Sequence, residues 1–144
     1  MSGVLSMVFA TILALTVSAS AAGPRRISDP DKFCEEVLST ISNEELGKTV
    51  DLIAGSTGQP DSSTGALANT LRIFEGKHFD FTGKVVDKDY NGGLRQIVYY
   101  SYVDKFGFIY FRFNFKMTSS GWILANFAFK DETLELFPKD FIDR

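Results

Sequence analysis

Hydrophobic residues recur along this chain with two different periods, and the change falls near His78. Before it, the spacing is helical. Ser28-Asp29-Pro30 supplies a capping side chain and a proline at the first helical position, where its missing N–H costs nothing. Phe33, Val37, Leu38 and Ile41 then fall on one stripe. Ser42-Asn43-Glu44-Glu45 has the form of a capping box and predicts a second helix bearing Leu46, Val50 and Ile53, ended by Gly55. Ser56–Thr64 is polar and aperiodic, so it reads as a loop. Leu67, Leu71 and Phe74 make a third helical stripe over Gly65–Glu75, with Gly76 as its stop.

After His78 the period is two. Phe79, Phe81, Val85 and Val86 predict a strand reaching Tyr90, and Asn91-Gly92 is a two-residue hairpin signal because a type I′ turn needs positive φ at both positions. A second strand follows over Leu94–Val103. Asp104-Lys105-Phe106-Gly107 and Thr118-Ser119-Ser120-Gly121 both read as turns closed by glycine. Between and beyond them lies Phe106–Asp131, in which six of the twelve residues from Phe106 to Met117 are aromatic. Around Pro138, the apolar residues Leu134, Leu136, Phe137 and Phe141 suggest a short edge segment, since proline cannot sit in a central strand.

The turns imply a register. They pair Val86 with Ile97, Lys84 with Tyr99, Val103 with Ile109, Tyr99 with Phe113, Met117 with Ile123 and Phe113 with Phe127. One face then gathers Val86, Ile97, Val103, Ile109, Phe111, Phe113, Phe115, Ile123, Phe127 and Phe129, and the helices must cover it. Burying Phe111, Phe113, Phe115 and Phe127 alone contributes roughly 6–12 kcal/mol before entropy. The opposite face gathers Tyr100, Tyr102, Phe108, Tyr110, Arg112, Asn114, Lys116, Trp122, Leu124, Asn126 and Lys130. Tyrosine, tryptophan and arginine are the types enriched at interfaces. Tyr100, Tyr102, Tyr110, Arg112, Asn114, Trp122 and Asn126 are therefore the candidate contact residues.

Composition and the first residues add a compartment. Met1–Ala22 holds no charged side chain, Val4–Val17 is almost wholly apolar, and Ala19-Ser20-Ala21 fits a signal-peptidase site. This reads as a cleaved secretory signal at residues 1–22, too short for a membrane span of ~20 apolar residues. Residues 23–144 are then one exported domain, periplasmic or extracellular, with no membrane span. It carries the whole net charge of −3, which argues against nucleic acid as a partner. Cys34 is the one cysteine, so no intramolecular disulfide is available and stability rests on the core.

Candidate chemistry is sparse. His78 is the one histidine, at a helix–strand junction. One His and one Cys are too few for a zinc site, and Asp29/Asp31 and Asp87/Asp89 lack calcium-loop spacing, so neither metal nor cofactor is expected. Acid–base catalysis in a cavity would draw on Asp80, Tyr99 and Asp131, which the register spreads widely. No catalytic residue is assigned.

Three helices followed by four long antiparallel strands, closing on Gly121-Trp122-Ile123-Leu124 in an exported domain, resemble the cystatin-like α+β roll that is shared with the nuclear-transport-factor-two-like superfamily. The resemblance spans Ser28–Phe137 and rests on architecture. It implies an α+β fold with three N-terminal helices packed on a curved four-stranded antiparallel sheet, often with a cone-shaped cavity and a dimer through the outer sheet face. Members include isomerases, dehydratases and non-enzymatic modules, so fold alone does not choose. The first reading is a non-catalytic binding or assembly module, a homodimer or a partner of another envelope or secreted protein. The second is a carrier of a small apolar ligand, or an isomerase- or dehydratase-like enzyme.

Overall fold

The computed structural model of the chain describes residues 23–58 and 61–131. The expected signal sequence Met1–Ala22 and the expected edge segment around Pro138 lie outside those residues. The described elements run α1 (Pro30–Ser42), α2 (Leu46–Thr57), α3 (Asp61–Leu71), a 3-10 turn (Arg72–Phe74), β1 (Phe79–Tyr90), β2 (Leu94–Val103), β3 (Gly107–Thr118) and β4 (Gly121–Lys130). The strands form an antiparallel meander in the order β1-β2-β3-β4. This is the α+β architecture read from the two periods. No helix among the described residues is long and apolar enough to cross a membrane.

The start of α1 is as its sequence suggests. The Asp29 carboxylate accepts from the backbone N–H groups of Asp31 and Lys32, at 3.1 and 3.2 Å, and Pro30 occupies the first turn. Phe33, Cys34, Val37, Leu38 and Ile41 are all buried. The junction to α2 differs. Ser42 is the last residue of α1, and Glu45 stands at the cap of α2 without a side-chain cap bond, so the capping box does not form. The backbone N–H groups of Glu44 and Glu45 are still closing α1, on Ile41 O and Thr40 O. Glu44 takes φ 61° and accepts from Gly76 N at 2.9 Å. A buried pair of hydroxyls, Thr49 Oγ1 donating to Thr40 Oγ1 at 2.8 Å, joins the two helices instead.

Helix α2 runs through Gly55 and stops at Gly58, which has φ 64°. Gly55 is used for a crossing: its carbonyl accepts from Arg25 N at 2.7 Å. Helix α3 begins at Asp61 and so takes up part of the stretch expected to be a loop. Leu71 and Phe74 are fully buried, and Gly76 with φ 66° ends the helical region as expected.

The register is partly as expected and corrected in three places. The first turn is a three-residue loop, Asn91-Gly92-Gly93, between the paired Tyr90 and Leu94. A bulge between Lys84 and Val86 then restores the expected Lys84–Tyr99 pair, but it leaves Val86 opposite Val98 and puts Asp87 opposite Ile97. Val86 therefore faces outward and Asp87 faces the helices. The second turn closes with Val103 opposite Gly107, a slip of two residues that keeps every side chain on its expected face. The third keeps Phe113–Phe127 and Phe111–Phe129, but a bulge after Asn114 puts Phe115 opposite Leu124 and Met117 opposite Trp122. Trp122 and Leu124 thus turn to the helix side and Ile123 turns outward. Trp122 packs against the core, and its carbonyl accepts from Ile27 N at 2.8 Å.

The core lies between the helices and the inner face. Phe74, Phe111, Phe113 and Phe115 are fully buried there. Phe33 meets Phe115 edge-on at 6.0 Å, Phe74 meets Phe129 at 5.0 Å, and Phe113 meets Phe127 at 5.0 Å between ring centroids.

Candidate functional site on the outer sheet face

The outward side of the meander holds six of the seven candidate residues, and the sheet register sets their neighbours. Tyr100 lies opposite Tyr110, Tyr102 opposite Phe108, Val98 opposite Arg112, and Gln96 opposite Asn114. Asn114 lies opposite Asn126. Trp122, expected here, is on the other side for the reason given above.

Two halves of this face differ in chemistry. At the end nearer the β2–β3 turn, Tyr102 meets Phe108 at 5.3 Å, Phe108 meets Tyr100 at 5.9 Å, and Tyr100 meets Phe81 at 5.5 Å. Phe81, Phe108 and Tyr102 are 54, 52 and 43% exposed. Gly83 lies beneath two of these rings, and a Cβ there would stand 3.0 Å from both Phe81 and Tyr100. Sequence reasoning left Phe81 and Gly83 out of the site. The signal was present, since glycine inside a strand marks a close approach.

The other half is polar and cationic. Gln96 Nε2 donates to Asn114 Oδ1 at 3.0 Å, and Arg112 Nη2 donates to Asn126 Oδ1 at 3.3 Å. The paired outward positions carry Lys88, Arg112, Lys116 and Lys130, and none of them carries a carboxylate.

The charges on the helix side are balanced. Asp31, at the start of α1, accepts from Lys84 Nζ at 2.8 Å and from Arg95 Nη2 at 2.7 Å. Asp87 accepts from the same two cations, at 3.1 and 2.7 Å. The bulge that turned Asp87 inward is what completes this ring of four charges. Hydrogen bonding from Arg95, then from Lys84, pulls the Asp87 carboxyl down to about 2. Lys84 and Arg95 likewise hold Asp31 below the usual carboxylate range. The ring ties α1 to β1 and β2. It joins residues that are remote in sequence, so local patterns place Asp31 and Asp87 only as helix-start and hairpin residues.

Acid–base candidates do not converge. Tyr99 is buried on the inner face, and burial pushes its phenol up to about 12. Burial also raises the Cys34 thiol, which is wholly enclosed. Asp80 and Asp131 are exposed. An open cleft of about 540 Å³ lies between the end of α3 and the β3–β4 side of the sheet, and Leu67, Ile73, Phe106, Phe127 and Phe129 supply its apolar lining. Asp131 and Lys130 line it too, while neither Tyr99 nor Asp80 is among its described lining residues. Among the described residues, no group of three or more His, Cys, Asp or Glu side chains is placed to hold a metal ion. His78 is exposed at the junction before β1, where its carbonyl accepts from Asp104 N at 2.9 Å.

No protein-family model matches this chain. No curated protein matches it either. A solved structure is similar: a protein described as a calcium/calmodulin-dependent protein kinase type II association domain from Thiobacillus denitrificans, with a TM-score of 0.53 and 11% identity. The match covers 73% of this chain and 96% of that one. At that identity the likeness shows the fold alone, an α+β arrangement of helices packed on an antiparallel sheet.

Proposed function

We propose that this chain is an exported, non-catalytic binding or assembly module of the cystatin-like and nuclear-transport-factor-two-like group, and that it self-associates through the aromatic end of its outer sheet face. The observation that carries this reading is the contact cluster of Phe81, Tyr100, Tyr102 and Phe108, three of which are about half exposed. Contiguous exposed aromatics on one side of a sheet are the type of surface that becomes an interface core. A second copy suits this end because its paired positions on β1, β2 and β3 bear no charge and Lys130 on the edge strand β4 is the one charged neighbour, so a two-fold axis centred on the aromatic rings brings like apolar surfaces together. The similar structure is described as an association domain, which is in keeping with such a role. The uncharged, apolar Met1–Ala22 supports export.

Sedimentation of the domain tests this reading. The wild type is expected to be a dimer at micromolar concentration, and Phe108→Lys a folded monomer. A wild type that stays monomeric at high micromolar concentration overturns it.

The cleft beside α3 favours a second reading, a carrier for a small apolar ligand or an isomerase- or dehydratase-like enzyme. An apolar fluorescent dye distinguishes the two surfaces. Binding lost in Ile73→Arg and kept in Phe108→Lys supports the cleft, and the reverse pattern removes it.

A further inference from the structure

The cationic half of the outer face holds groups more buried than an uncovered sheet surface allows. Val98 is fully buried and Val86 is 6% exposed, yet neither belongs to the core cluster that the helices build with the inner face. The Arg112 Nε atom beside them is buried as well. The pairings Val86–Val98, Val98–Arg112 and Arg112–Ala128 place these residues in one row that crosses all four strands. That row ends on β4 at Ala128, two residues before Lys130, the last residue of the strand.

We infer that residues 132–144 of the same chain dock along this row. Their sequence, ETLELFPKDFIDR, fits the surface on two counts. It brings Leu134, Leu136, Phe137 and Phe141 to an apolar row of valines. It also brings four carboxylates, Glu132, Glu135, Asp140 and Asp143, against two cations, to a face whose paired positions bear only cations. Length is sufficient. Crossing from β4 to β1 covers three strand spacings, roughly 15 Å, and thirteen residues reach about 40 Å when extended. The aromatic end with Phe81, Tyr102 and Phe108 stays open, so docking and self-association use different halves of one face. This inference does not rest on the proposed dimer.

Zero-length carbodiimide cross-linking of the full chain tests it, using an equal mixture of nitrogen-14 and nitrogen-15 protein followed by peptide mass spectrometry. The expected result is links from carboxylates of 132–144 to Lys88 or Lys116, within single-isotope pairs. Links to Lys32, Lys48 or Lys77 on the helical elements and their junction, or no links from this segment, overturn the proposal. Mixed-isotope links overturn docking within one chain. Arg112→Glu is expected to remove the Lys88 links, and Arg112→Lys to keep them. Sedimentation of the same samples reads self-association separately, so either reading can fail without the other.

Discussion

The two faces of the sheet are built from the same residue class and put to different uses. On the inner face, Phe111, Phe113 and Phe115 are fully buried, and the helices cover them with Phe33, Leu71 and Phe74. On the outer face, Phe81 and Phe108 remain about half exposed and touch mainly other aromatic side chains of the sheet. Charge divides in the same way. The helix side pairs two carboxylates with two cations in a closed ring, while the outward paired positions carry cations alone. A phenylalanine that is covered stabilises the fold. One that is left open on a structured sheet has surface available to a partner, and the difference between the faces is the basis for placing function on the outer one.

Substitutions can break this contrast. The largest effect is expected on the inner face: Phe113→Ala leaves a cavity where no solvent reaches, costing about 3–5 kcal/mol in denaturant unfolding. The ring of four charges comes next. Asp87 has a depressed pKa in the folded state, so its contribution is present above the unfolded carboxylate pKa of about 3.9 and is lost as pH falls towards about 2. Because its carboxylate is about one-third exposed, solvent screening limits the effect, and Asp87→Asn is expected to cost about 1 kcal/mol at neutral pH. The variant should also show a flatter stability profile between pH 4 and 2 (the approximate window set by those two pKa values).

Tyr99 sharpens the comparison from the alkaline side. Its folded-state pKa is raised to about 12, so neutral Tyr99 favours the fold below the unfolded value of about 10, and that contribution is lost as pH rises through about 12. Ultraviolet titration is expected to show a late phenol that is missing in Tyr99→Phe. The smallest stability effect belongs to the outer face. Phe108→Ala should change unfolding by less than about 0.5 kcal/mol while weakening self-association in sedimentation. Trp122 then tests the assignment of faces. Placed against the core, its emission should be unchanged by dilution through the proposed dimer–monomer transition. A shift would return it to the interface.

Much of this molecule is legible in one sequence, and the gaps have local causes. Asp29-Pro30 and Gly76 mark helix limits because caps and glycine stops are contacts within a turn of chain. Ser42–Glu45 has the same kind of pattern but fails as a cap, since the backbone there is committed to closing α1. Strand limits and Phe111–Phe129 pairing follow from alternation and turn signals. The bulges after Lys84 and after Asn114 do not, and each moved residues across the sheet: Val86 outward, Trp122 and Leu124 inward. A bulge inserts one residue without any mark in the hydrophobic pattern, because both Trp122 and Ile123 suit a covered position. Outward placement is accordingly legible for Tyr100, Tyr102, Tyr110, Arg112, Asn114 and Asn126, and it fails for Trp122, which a bulge turns inward.

By itself, the sequence determined that helices precede a four-stranded meander, that one sheet face must be covered, and that aromatic residues remain over for the other. Periodicity and turn chemistry are local, so they survive without coordinates. Only the tertiary structure decided which side each residue after a bulge faces, and that Asp31, Lys84, Asp87 and Arg95 meet. Those outcomes depend on where the sheet slips by one residue and on contacts between segments more than fifty residues apart, and neither leaves a trace in the local pattern.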